Sequence, residues 1–187
     1  IYVAVNVRSH KEQQRWPQEV STHLSSYSYW HTELRSLVNN DDYSRLGMCK
    51  KFSAILSWIN GAPILDIESH IQQHYRDRFA SGAVQQVADI CKDVLNPIAT
   101  IISFIYPKQI NIGETIERLT IRLQLGVPDN IIDFVRATKA NFSRPTYIAL
   151  HNMGIYTLAE AQIREEDIAA LLGEEEAYSL LQYPIYE

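Results

Sequence analysis

The stretch Gly82-Ala-Val-Gln-Gln-Val-Ala-Asp-Ile-Cys-Lys-Asp-Val-Leu-Asn-Pro-Ile-Ala-Thr-Ile-Ile-Ser-Phe-Ile-Tyr106 decides the fold class. Val84, Val87, Cys91, Val94, Ile98, Ile101 and Ile105 recur at alternating spacings of three and four, which keeps side chains on one face of a helix. Ile90, Leu95 and Ile102 widen the stripe, so the pattern predicts one long helix over 82–106, buried on more than one side at the centre of a bundle. A continuous polar strip remains, made of Gln85, Gln86, Asp89, Lys92, Asp93, Asn96, Thr100 and Ser103. A central helix with such a strip either faces solvent there or lines a channel. Pro97 lacks an amide donor and is expected to bend the second half.

Outward from this helix, nearly every signal is helical. Ser9 and Glu12 have capping-box spacing, and residues 20–38 form a weaker helical candidate. Ser44 to Asn60 is amphipathic, with Cys49, Phe52, Leu56 and Ile59 on one side and Gly61 at its end. Pro63 opens a helix from Ile64 to about Tyr75. Glu114 to Leu125 places Ile116, Leu119 and Leu123 inward and brings Glu114, Arg118 and Arg122 into register on another face. Gly126 stops it, and Pro128-Asp129 starts a helix to about Lys139. Ser143 caps the next, with Pro145 in its first turn and Gly154 after its end. Thr157 and Glu160 form a second capping box, and short helices near Asp167–Leu172 and Glu174–Gln182 finish the chain. No alternating strand pattern persists after Val7. The expected class is all-α: a helical bundle over residues 1–126, then a small compact helical domain over 127–187.

With 187 residues, 46% hydrophobic and 21% charged, the chain has ordinary globular composition. No apolar run approaches the roughly 20 residues that span a bilayer, and Ile1 to Val7 is too short and lacks the basic leader of a signal peptide. Without an initiating Met, the chain is expected to be part of a longer protein. Cys49 and Cys91 on apolar faces suggest reduced thiols in an intracellular protein. The net charge of −5 is unevenly spread. From Glu160 onward eight acids face one base, Arg164, which leaves 16 bases and 14 acids in residues 1–159. That nearly neutral body neither demands nor excludes nucleic acid.

Catalytic patterns are missing: there is no Gly-rich phosphate loop with Lys-Ser/Thr, no Gly-x-Ser-x-Gly and no Cys-x-x-Cys. His70 and His74 are four apart, but the helix lacks the Glu of a zincin site and no third ligand presents itself, so a solvated or interhelical pair is the expected reading. Glu165, Glu166 and Asp167 are explained by capping and the helix dipole. Trp16, Trp30 and Trp58 are expected core anchors. The residues alone describe no self-sufficient enzyme.

Four pieces in order resemble the C-terminal part of superfamily 2 DNA helicases of the HelQ and archaeal repair-helicase type. Ala54-Ile-Leu-Ser-Trp-Ile-Asn60 with Ile67-Glu-Ser-His-Ile-Gln-Gln-His-Tyr75 resembles that family's tryptophan-isoleucine helix and its short follower. Asp89-Ile-Cys-Lys-Asp-Val-Leu95 resembles the start of the central ratchet helix. Leu119-Thr-Ile-Arg-Leu-Gln-Leu-Gly-Val127 is similar to the segment leaving the bundle. Phe134-Val-Arg136, Arg144 to Leu150, and Met153-Gly-Ile155 with Leu158 resemble the small helix-hairpin-helix-like domain that follows.

The resemblance implies an accessory module of an ATP-driven, DEAD/DEAH-like motor in DNA repair, cytoplasmic or in the nucleoid. ATP and Mg would bind RecA-like motor domains outside this sequence, and no cofactor is expected within it. The partners implied are single-stranded nucleic acid, DNA above all, and the motor domains of the same parent, with no membrane. The family's ratchet helix carries an Arg and, seven residues later, a stacking Trp. Here those places fall on Gln86 and Asp93, or one residue back on Gln85 and Lys92. Where the family has a Gly-x-Gly hairpin, this chain has Asn141-Phe142-Ser143; Arg144 is kept, with Arg136 and Lys139 nearby. The implied nucleic-acid-binding set is therefore Gln86, Lys92, Asp93, Arg136, Lys139 and Arg144. The alternative is a non-catalytic structural or protein-interaction module that meets a partner through its Tyr-rich start or acidic tail.

Overall fold

The computed structural model describes residues 18–20, 22–23, 43–71, 82–107 and 111–184. Expectations for the rest, including the Ser9–Glu12 box, Trp16, Trp30 and His74, lie outside the described residues. The described chain is all-α, with no strand among these residues. It divides into two compact units, residues 1–58 with 62–88 and residues 59–61 with 89–187.

In the first unit, helix α1 (Tyr43–Ile59) buries Cys49 with Ser53 and Ala54 with Trp58, each pair four residues apart. Helix α2 (Ile64–Ile71) buries Ile67. Its first turn is closed by Pro63, whose carbonyl accepts from the Asp66 and Ile67 amides. The Glu19 carboxylate accepts from Ser53 Oγ at 2.7 Å and lies 3.0 Å from His70 Nε2, which gives two polar side chains of the packed face a partner.

Helix α3 (Gly82–Ile105) has the expected length and continues through Pro97. Its burial differs from the expectation. Val84, Ala88 and Leu95 are buried, whereas Ile90, Val94, Ile98, Ile101 and Ile105 are 41 to 58% exposed. A 3–4 repeat states which face is apolar, but not whether another element lies on it.

In the second unit, helix α4 (Ile112–Leu125) ends at Gly126, whose positive φ of 66° lets its amide reach back to the Arg122 carbonyl. A 3₁₀ turn (Asp129–Ile131) leads into α5 (Ile132–Ala137), so the helix expected to reach Lys139 stops at Thr138. After residues 138–143 come α6 (Arg144–Asn152), α7 (Leu158–Ile163), α8 (Glu165–Leu172) and α9 (Glu174–Leu181). Ser143 Oγ accepts from the Thr146 amide, and Thr157 with Glu160 completes the capping box. One core, including Val127, Ile132, Phe134, Tyr147, Leu150, Ile168 and Leu180, joins these helices. At 25 cal/mol per Å² of apolar surface, each fully buried Ile, Leu or Phe side chain contributes about 1.5–3 kcal/mol.

Candidate nucleic-acid interface

The hairpin 138–143 joins α5 to α6. Lys139 and Ala140 are the only non-glycine residues with positive φ among the described residues, at 53° and 54°. An L side chain costs roughly 1–2 kcal/mol there. The turn is held first by its own backbone, with the Lys139, Ala140 and Asn141 amides donating to the carbonyls of Arg136, Val135 and Thr138 at 2.9, 2.8 and 3.1 Å, and tertiary contacts add to these from both sides. Tyr147, buried with its hydroxyl, lies 2.8 Å from Thr138 Oγ1 and accepts from the Phe142 amide at 3.3 Å. Burial raises the Tyr147 pKa above the ordinary tyrosine value, while the hydrogen bonds with Thr138 and Phe142 oppose that rise. From outside, Tyr183 accepts a hydrogen bond from Asn141 Nδ2 at 2.9 Å and meets the Phe142 ring edge-on. Glu176 accepts from Thr146 Oγ1 at 2.7 Å, in the first turn of α6.

The three basic residues expected here have different surroundings. Arg136 lies among Glu117 (3.2 Å), Asp133 (3.4 Å) and Glu114 (3.7 Å), so its charge is offset by carboxylates on α4 and α5. Arg144 donates from Nε to the Gly126 carbonyl at 3.0 Å, and burial lowers its pKa from the ordinary arginine value. It ties the start of α6 to the end of α4. Lys139 is exposed just after the hairpin's first residue, and no ion pair or hydrogen bond holds its ammonium among the described residues.

No protein-family model matches this chain, and no curated protein matches its sequence.

The remaining expected residues lie on α3. Gln86 is exposed in the part of α3 that belongs to the first unit. Lys92 pairs with Asp89 at 3.0 Å, one turn away, and Asp93 is exposed. No hydrogen bond or ion pair joins Lys92 or Asp93 to the hairpin among the described residues. Thr100 donates to the Asn96 carbonyl at 3.0 Å, which turns that polar side chain onto the helix backbone. Among the described residues no three His, Cys, Asp or Glu side chains form a group able to hold a metal, and no helix is long and apolar enough to cross a membrane.

Sequence reasoning missed Tyr147, Tyr183 and Glu176, the side chains that hold the hairpin. A buried hydroxyl leaves no local signature, because its partners are fixed by tertiary packing. The Arg118 network was half-visible. The register of Glu114, Arg118 and Arg122 was legible, but Arg118 reaches across to Asp129 at 3.1 Å and Asp133 at 2.9 Å. Its pKa is raised first by the hydrogen bond to Asp129.

Proposed function

We propose that this chain is the C-terminal accessory region of an ATP-dependent superfamily 2 DNA helicase, and that hairpin 138–143 contacts the single strand through Lys139. One observation carries the proposal. A strained hairpin between two short helices is held by buried and interlocking contacts, and it presents one exposed cation with no partner among the described residues. Strained backbone persists where the surroundings over-determine it, and it gathers at binding sites. Arg136 and Arg144 serve as internal struts in this arrangement, and the helical bundle carries the hairpin relative to motor domains elsewhere in the parent. Affinity for a single strand then comes from backbone electrostatics and falls with salt.

The test is binding of a labelled single-stranded oligonucleotide, read by fluorescence anisotropy between about 50 and 200 mM salt. Lys139→Ala is expected to weaken binding across sequences and to reduce the salt slope by about one phosphate contact. No binding by the intact chain at low salt would remove direct strand contact from its role.

A second reading, docking on a protein surface, is favoured by the uncovered apolar face of α3 from Ile90 to Ile105. An uncovered face of this kind suits packing on motor domains or on a separate partner. Retention of a motor-domain or partner protein by the wild-type chain, lost in Ile98→Asp with Ile101→Asp, supports docking; equal retention by both chains removes it.

A further inference from the structure

Tyr147 bonds with both ends of the hairpin. Thr138 Oγ1 lies 3.0 Å from the Phe134 carbonyl and 3.2 Å from that of Val135, so the threonine proton goes to the helix backbone. A threonine lone pair is then left to accept from the Tyr147 hydroxyl at 2.8 Å. The tyrosine oxygen in turn accepts from the Phe142 amide. One hydroxyl therefore bridges the residue that enters the loop and a residue near its exit, across the two left-handed positions between them. Tyr147 and Thr138 are both 0% exposed, so water does not compete for the bond between their hydroxyls. The ring is also braced edge-on by Phe134 and Phe142 at centroid distances of 6.4 and 6.2 Å.

We infer that Tyr147 is the positioning residue for the strand contact made by Lys139: its hydroxyl closes the loop base and so fixes the direction in which the Lys139 side chain leaves the backbone. The inference rests on the strand-binding role proposed above. Removing the hydroxyl leaves a buried Thr138 lone pair and the half-buried Phe142 amide without this partner, and the left-handed positions are then held by the backbone bonds of the turn alone. The ammonium stays on the chain but loses its preset direction, and affinity falls because the strand must now order the loop.

The experiment is a double-mutant cycle on the full chain, with Tyr147→Phe and Lys139→Ala singly and together, and a labelled single-stranded oligonucleotide as probe. Circular dichroism melts establish that each variant is folded. Tyr147→Phe is expected to weaken binding about three- to ten-fold, to flatten the salt slope as Lys139→Ala does, and to have no further effect once Lys139 is Ala. Equal effects of Tyr147→Phe in both backgrounds give it a role in stability alone and overturn the inference, as does unchanged affinity of Tyr147→Phe while Lys139→Ala weakens binding. In either case the strand-binding role survives. If Lys139→Ala itself changes nothing, the hairpin contact fails and the inference fails with it. Should Tyr147→Phe not fold, Thr138→Val, which removes the same hydroxyl bridge at close to constant volume, takes its place in the cycle with the same outcomes.

Discussion

At the residue scale, backbone conformation and residue type disagree at one place. Gly126 and Gly154 take positive φ of 66° and 73° where glycine carries no Cβ penalty. Ala140 takes φ 54° with a Cβ. Ala140→Gly relieves roughly 1–2 kcal/mol of left-handed strain and gives back about 0.5–1 kcal/mol in unfolded-state entropy. The expected net is a stabilisation of about 0.5–1 kcal/mol, seen as a higher urea midpoint at unchanged slope. Gly126→Ala and Gly154→Ala should move the midpoint the other way by about 1 kcal/mol or more. A fall in midpoint for Ala140→Gly would mean that the alanine methyl makes a packing contribution larger than the strain. The left-handed turn was not legible in the sequence, because Lys-Ala is not turn chemistry and the glycines that would announce it are missing.

At the scale of elements, the caps were the most legible feature, since a cap is a short-range hydrogen bond between residues three apart. Ser143 and the Thr157–Glu160 box stand where spacing put them. The box also makes an acid-side prediction. The Tyr156 amide above all, with lesser help from the amide and hydroxyl of Thr157, holds the Glu160 pKa below its ordinary value near 4.5, against an opposing effect of burial. A folded pKa lower than the unfolded one gives stability that is present above about pH 4.5 and is lost as pH falls through the folded value. Glu160→Gln should therefore flatten the acid limb of a melting-temperature profile below that pH, and Thr157→Ala should cost about 1 kcal/mol at neutral pH. An acid limb that Glu160→Gln leaves unaltered would assign it to other carboxylates. The connection after α1 gives a harder test. Gly61 has φ +81°, and a Cβ there would lie 2.7 Å from Ile148 Cδ1 and 3.0 Å from Pro128 Cδ. The isoleucine tip can turn away, but the proline ring has nowhere simple to go. Gly61→Ala is expected to destabilise by about 2–3 kcal/mol in chemical denaturation, and a loss under 0.5 kcal/mol would show that this approach is looser than the geometry indicates. The pairs from Arg136 to Glu114 and Glu117 and from Arg118 to Asp129 and Asp133 escaped the sequence because they join neighbouring elements, beyond the reach of helical spacing.

For the whole molecule, the apolar material is unevenly used. The second unit folds around one shared core from Val127 to Leu180, while the apolar stripe of α3 from Ile90 to Ile105 lies open. Periodicity made the stripe legible as a helix face; the surface that would cover it is a tertiary fact. The contrast separates stability from recognition. Removing side chains from the shared core should be expensive: Leu150→Ala and Ile132→Ala are each expected to cost about 2–5 kcal/mol, through lost transfer energy and the cavity left behind. Placing charge on the open stripe with Ile98→Asp and Ile101→Asp removes no buried contact of comparable size, so the thermal midpoint should move by about 0.5 kcal/mol equivalent or less. The same pair should lower binding of an apolar fluorescent dye, because it interrupts the one long exposed apolar face of the described chain. A large loss of stability in the aspartate pair would mean that these isoleucines are packed in solution and that the stripe belongs to the interior. Intact stability together with reduced dye binding would identify the stripe as surface kept apolar for a partner, which is the property the docking reading requires.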